Sequence, residues 1–295
     1  MTGLVLAAGL GTQETRSAAA PTPVVRDCPG ETPPGEEPVA FDRGVVSVEG
    51  RNTQAPKFSP VGRMPVFSRY PDGTSFRMVR GKGGWSAPEP TGFTGKEVTV
   101  DATTKRRFFY DRGDLFCVRY SDDGFAAPTP LSAKINAPEV EFYPCLTGQG
   151  NLHFSRNSNW DQGPIMEAKP DGDDFDVPVD PGDLANRGGA SHGFVSPDES
   201  HLLFDSPCGA SATKNDLRIS FRGAVGAWLA PGNPEPRINR DALSVLCPTV
   251  SPHGEYRFLT CLQDIGTGHV YWGSTRVIEA ARPPMRPTAP KNVGA

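Results

Sequence analysis

An all-β fold of repeated units, each of about four short strands, is what this sequence predicts, and three observations carry the prediction. A turn of the type Ser-Pro-x-Gly/Glu recurs between apolar segments, in "PKFSPVGRMPVF" 56–67, "GFVSPDESHLLF" 193–204 and "CPTVSPHGEYRFL" 247–259. "YPCLTGQGNLHF" 143–154 and the more degraded "VTVDATTKRRFF" 98–109 fit the same frame. The equivalent turn positions are Ser59, Asp101, Thr147, Ser196 and Ser251, separated by 42, 46, 49 and 55 residues, near the roughly 40–50-residue period of a propeller blade. Finally, 33 Gly and 31 Pro accompany 16 Phe, 6 Tyr and 4 Trp. Disordered chains lack such aromatic content, so the Gly and Pro punctuate short elements. Together these predict a five-bladed β-propeller.

Each unit runs in the same order. A first strand leads into the turn, where Pro and Gly supply the required backbone angles, and a second strand follows. The third strands are "DLFCVRY" 114–120, "DLRISF" 216–221 and "HVYWGS" 269–274. Turns with an aromatic come next, in "GGWSAPEP" 83–90, "DGFAAPTP" 123–130 and "DGDDFDVPV" 171–179. One such sheet cannot bury both faces alone, and radial stacking solves that. "GVVSV" 44–48 is expected to supply the outer strand of the last blade and close the ring; six blades are the alternative if 38–50 form an eroded blade. The one helix candidate is "STRVIEAA" 274–281. Residues 1–45 and 282–295, rich in Pro, Gly and Ala, read as flexible arms around a propeller at 46–281.

The turns "FSPVG", "VSPDES" and "VSPHG", with "NDLRISFR", "EFYPCLTGQGNLHFSRN" and "VYWGSTRVIEA", resemble the TolB-type, WD40-like propeller repeat of a bacterial single-domain subgroup. The resemblance spans about 33–282. It implies the propeller fold and, through TolB, a periplasmic interaction role; it implies no particular activity. "LVLAAGLGT" 4–12 also resembles the phosphate-binding start of sugar nucleotidyltransferases, but Gln13 stands where that motif places Arg, and no βαβ pattern follows.

The net charge of -4 argues against nucleic acid, which needs clustered Lys and Arg. The one basic run, Lys105-Arg106-Arg107, reads as a solvated strand edge. No apolar stretch is long enough for a membrane-spanning helix. The apolar run 3–11 before Ser17-Ala18-Ala19-Ala20 fits a secretory signal loosely, so the periplasm or extracellular space is as compatible as the cytoplasm. The six Cys read as free thiols, although Cys208 and Cys261 both follow second strands and an exported chain could pair them.

In a propeller, residues at one repeat position ring the central axis. Four residues before each turn position stand Ala55, Glu97, Tyr143, His192 and Cys247. Glu97, Tyr143, His192 and Cys247 are therefore the candidate ligand-binding residues, and His192, Glu97 and Tyr143 the candidate catalytic ones. His and Cys suit a divalent metal, but polar channel residues more commonly bond water and the neighbouring blade, and no cofactor or metal is expected. Asp171, Asp173, Asp174 and Asp176 lack the alternation of a calcium loop, and "GASHG" around His192 is not a serine-hydrolase elbow. Asp114 and Asp216, each opening a third strand, read as turn or inter-blade backbone partners. The sequence thus predicts a monomeric binding or scaffold protein recognising a small molecule, glycan or protein through its channel face. The alternative is a hydrolase or lyase centred on His192.

Overall fold

A computed structural model describes residues 34–284, apart from 55, 59–64, 71–72, 82–83, 92–94, 102, 122–123, 159–162, 182–185, 187, 209–210, 224–225 and 265. Most of the expected N-terminal arm, Cys28, Ala55 and Ser59 lie outside the described residues.

Val39–Ala40 (β1) and Asn52–Thr53 (β2) precede a first group of Lys57–Phe58 (β3), Pro65–Tyr70 (β4), Thr74–Arg77 (β5), Arg80–Gly81 (β6), Gly84–Trp85 (β7) and Glu89–Pro90 (β8). The next group holds Lys96–Asp101 (β9), Arg106–Asp111 (β10), Asp114–Ser121 (β11), Gly124–Phe125 (β12) and Thr129–Pro130 (β13). Then come Val140–Leu146 (β14), Leu152–Asn157 (β15), Ile165–Ala168 (β16), Pro170–Asp171 (β17) and Asp174–Phe175 (β18). Ser191–Val195 (β19), His201–Cys208 (β20) and Ser211–Phe221 (β21) follow. The last group is Ser244–Val250 (β22), Tyr256–Asp264 (β23) and Thr267–Ser274 (β24), flanked by the helices Pro236–Asp241 (α1) and Arg276–Ala280 (α2). Within each group, first, second and third strands pair antiparallel. First strands pack side by side, β3 on β9, β9 on β14, β14 on β19 and β19 on β22. This is an all-β propeller.

The recurring turn is one backbone motif. Gly150, Glu199 and Gly254 all adopt positive φ three residues after Thr147, Ser196 and Ser251, and each N–H returns to that residue's carbonyl at 3.1, 2.8 and 2.8 Å.

Closure differs from the expectation. Val39–Ala40, not "GVVSV", forms the outer strand on β24. Asp42 O accepts the N–H groups of Val45, Val46 and Ser47, which curls 44–48 into a turn and buries Val46. Phe41 then seals the seam edge-on to Phe258 and Trp272, at 5.2 and 5.4 Å. The chain joins the sheet before residue 46, the expected boundary.

The sequence reading missed a second repeated device. Asn136, Asn186 and Asn239 each accept the N–H and donate to the C=O of one third-strand residue: Leu115 (2.9 and 3.1 Å), Ile165 (3.0 and 3.2 Å) and Leu217 (2.8 and 3.1 Å). In the last group Ser47 Oγ takes this part at Val270. The clasp satisfies a backbone edge that an outer strand would otherwise pair. Helix α1, also unanticipated, exists in this context: Pro236 suits a helix start, and the helix carries Asn239.

The basic run is not a solvated edge. Arg106 and Arg107 are buried. Arg106 lies 3.7 Å from Asp101 and donates to Asp173 O at 2.6 Å; Arg107 stacks over Tyr120 and Phe125. The planar guanidinium permits such stacking. Cys261, expected as a partner for Cys208 in an exported chain, lies inside β23 as a free buried thiol opposite His269; the side chain of Cys208 lies outside the described residues. The acidic hairpin carries surface pairs, Asp171 with Lys134 and Asp173 with Arg119, both at 2.8 Å. Asp114 faces Asp111 across its hairpin, and Asp216 is buried 3.7 Å from Arg218.

Asn239→Ala leaves the Leu217 N–H and C=O without partners, at about 1–3 kcal/mol per buried group. Urea denaturation should show that loss; an unchanged midpoint would show that the clasp carries no stability.

Candidate functional site

The four described candidates share one unusual backbone state. Glu97, Tyr143, His192 and Cys247 have φ of 55°, 55°, 49° and 55°, in the left-handed region that costs a non-Gly residue roughly 1–2 kcal/mol. Each sits at a register shift between first and second strands, where an extra residue bulges out of the pairing. The bulge withdraws its N–H from the ladder, and a side chain of the preceding group accepts it. Tyr143 N–H donates to Glu97 Oε2 at 2.7 Å, His192 N–H to Ser155 Oγ at 3.0 Å, and Cys247 N–H to Asp205 Oδ1 at 3.1 Å. Gln54 Nε2 donates to Glu97 Oε1 at 2.9 Å, tying in the first group. Thr260 Oγ1 donates to Thr53 O across the closing seam at 3.2 Å.

Asp205 accepts three bonds in this layer. Fully buried, it takes His192 Nδ1 at 2.9 Å and Cys247 N–H on Oδ1, and Asn215 Nδ2 on Oδ2 at 3.0 Å. Burial alone would lower the His192 pKa. The facing Asp205 carboxylate and the hydrogen-bonded Cys247 thiol outweigh it and hold His192 well above the ordinary value. Burial pushes the Cys247 thiol up, partly offset by His192. The resulting state is an imidazolium on a carboxylate beside a neutral thiol. Tyr143 donates its hydroxyl to Pro248 O at 2.8 Å, and burial raises its pKa far above the usual phenol range. Its ring meets that of His192 edge-on at 5.0 Å.

The large cavity lies one layer further along the first strands, at the Ser-Pro turn end. Its volume is about 970 Å³, the upper end of ligand pockets. Two residues after the ring positions stand Lys57, Thr99, Cys145, Phe194 and Thr249, and all five line it. The described turn residues Asp101, Thr147, Ser196 and Ser251 line it above them. Glu97, Tyr143, His192 and Cys247 do not; the structure brings the four together as the layer beneath. Glu97 and Tyr143 share with Gln54 and Lys57 a separate space of about 10 Å³, about one water.

Lys57 joins the two layers. It is 8% exposed, and its Nζ rests 3.5 Å from the centroid of the Tyr143 ring, a cation–π contact. Burial lowers its pKa to about 8, with Cys145, Cys247 and Glu97 opposing the fall. The sequence reading passed over Lys57 and Cys145. The signal was available, since both stand two residues on in the same repeat register. Among the described residues no three His, Cys, Asp or Glu side chains cluster as a metal set.

No family model and no curated protein matches the chain. Similar solved structures include a gluconolactonase from Xanthomonas campestris, at 14% identity and TM-score 0.49 over 82% of this chain and 87% of that one. A protein described as TolB from Agrobacterium tumefaciens is similar at 16% identity and TM-score 0.47, over 72% and 71%. TolB from Acinetobacter baumannii is similar at 12% and 0.43, over 75% of this chain and 54% of that one.

Asp205→Ala strands a buried imidazolium and frees the Cys247 N–H, a loss of about 3–5 kcal/mol. The His192 pKa is raised on folding, so its contribution is complete below about pH 6.5 and is lost as pH rises through the folded value. The stability gap between wild type and His192→Gln in urea should therefore narrow as the pH rises above about 6.5. A gap that widens would contradict the charge state assigned.

Proposed function

We propose that the chain is a five-bladed propeller that binds a small molecule in the cavity at the Ser-Pro turn end of its channel, as a binding module. One observation carries this reading: a single repeat register supplies a residue from every strand group to the wall of a cavity of about 970 Å³. The layer below has its polar groups engaged with one another, which favours a bracing part for it. It forms the base on which the ligand site stands.

A second reading, a hydrolase or lyase centred on His192, draws on the hydrogen-bonded series Cys247, His192 and Asp205, the order of nucleophile, base and orienting carboxylate. Two observations weigh against it. His192 is already protonated near neutral pH, so it is a poor base. Cys247 is 1% exposed and away from the large cavity. On this reading His192→Ala or Glu97→Ala would abolish a turnover that the cavity variants below only weaken.

The binding reading is checked by thermal-shift and native mass spectrometry screening of wild type, Thr249→Trp and Thr99→Trp against a metabolite panel. Stabilising ligands should bind wild type with 1:1 stoichiometry. Both variants, which narrow the cavity from two different strand groups, should lose them while keeping wild-type circular dichroism. Ligands that bind all three proteins equally would place the site elsewhere and refute the reading.

A further inference from the structure

The large cavity has an uneven distribution of charge, visible once its ionisable walls are paired off. Its lining basic residues are Lys57, Arg106, His201 and Arg282, and its lining carboxylates Asp101, Asp198 and Glu279. Arg106 lies 3.7 Å from Asp101. Arg282 Nε meets Glu279 at 2.9 Å. Asp198 accepts from Ser196 Oγ at 2.7 Å and Ser200 N–H at 3.1 Å. Burial lowers the His201 pKa, and its Nδ1 shares a 3.2 Å hydrogen bond with Ser200 Oγ. Around the mouth, therefore, charge is matched locally. Lys57 on the floor differs: among the described residues its ammonium takes part in no ion pair or hydrogen bond; it rests on the Tyr143 ring, with Cys145, Cys247 and the Glu97 carboxylate of the layer beneath acting on it from further off.

Two other residues of its layer carry hydroxyls. They are Thr99 on β9, which packs on β3, and Thr249 on β22, both at the repeat position of Lys57 and both lining the cavity. No hydrogen bond among the described residues uses either hydroxyl. An ammonium and two hydroxyls free to donate, at one level of a cavity wall, complement a carboxylate. Phe194 in the same layer, with Phe58, Val100, Val250 and Ile278, adds apolar surface to the cavity wall.

We infer that the cavity takes a small organic acid, its carboxylate on the floor against Lys57, Thr99 and Thr249, and its apolar body along Phe194 and Phe58. The inference rests on the binding reading above and adds the ligand class and its orientation. The ligand supplies the direct ion-pair partner that Lys57 lacks among the described residues, Glu97 acting on it only from the layer beneath. Lys57 is a positioning and specificity residue, and no covalent step is involved.

The test is calorimetric titration of the full chain with octanoate and 3-phenylpropionate, with their neutral amides octanamide and 3-phenylpropanamide, and with inorganic phosphate. The acids should bind at least about tenfold more tightly than the amides, a difference of about 1.4 kcal/mol. Lys57→Met should bring acid and amide to equal affinity. Met suits the apolar neighbours and removes a desolvated charge, so the variant should fold at least as stably as wild type. If it does not fold, the double variant Thr99→Val, Thr249→Val should reduce the preference for acid over amide. Acid binding to wild type should weaken as pH rises above about 8, where Lys57 loses its proton, and amide binding should not.

Equal affinity for acid and amide overturns the inference while leaving the cavity as the binding site. Phosphate binding as tightly as the acids overturns it too, since the apolar body would then play no part. If none of the acids binds, the ligand class is wrong. The broader reading fails only if the metabolite panel also finds no ligand sensitive to Thr249→Trp.

Discussion

The backbone N–H that each first-strand bulge turns out of its own ladder is the constraint on which this propeller depends. Strand pairing within a group satisfies only that group. An extra residue at positive φ leaves a donor aimed sideways, and a buried donor without an acceptor is costly. At Tyr143, His192 and Cys247 the acceptor belongs to the preceding group: Glu97, Ser155 or Asp205. Local strain of roughly 1–2 kcal/mol per residue is thereby exchanged for bonds between groups. Hydrophobic packing draws the sheets together without fixing their angular register. These directional bonds fix it.

The same device explains the layering along the axis. Because the polar atoms of the ring turn toward neighbouring strands, the ring closes over itself and leaves only a space of about 10 Å³ beside Glu97 and Tyr143. The next layer up, which holds Lys57, Thr99, Cys145, Phe194 and Thr249, faces a channel that opens to about 970 Å³. Lys57 occupies the boundary. Its ammonium is tolerated on the face of Tyr143, whose hydroxyl is held by Pro248 O from across the ring. The rigidity of the lower layer thus sets the position of the floor of the upper one.

Much of this was legible in the sequence. The Ser-Pro turns specified the repeat, and the repeat specified which residues share a level. Glu97, Tyr143, His192 and Cys247 do stand at one level, and their common φ shows that the register was read correctly. Their orientation was not legible, because a period-two strand pattern does not reveal a bulge, and the bulge decides which layer faces open space. The clasps by Asn136, Asn186 and Asn239 were also hidden. An Asn some 21 or 22 residues after its target carries no local pattern, and in isolation it reads as a turn residue. The burial of Arg106 and Arg107 depended on Asp101, Asp173 and Phe125 arriving from elsewhere in the chain, which a basic run cannot announce. The closing strand was displaced by a few residues because Asp42 captures three successive N–H groups that a strand would have used.

The central claim is that the ring amides hold the strand groups in register, and amide hydrogen exchange resolved by NMR tests it most directly. The N–H groups of Tyr143, His192 and Cys247 should exchange only through global unfolding, with the same denaturant dependence as the core amides of Phe154 and Leu203. Exchange of those three amides by local opening, at rates like those of the exposed turns, would contradict it.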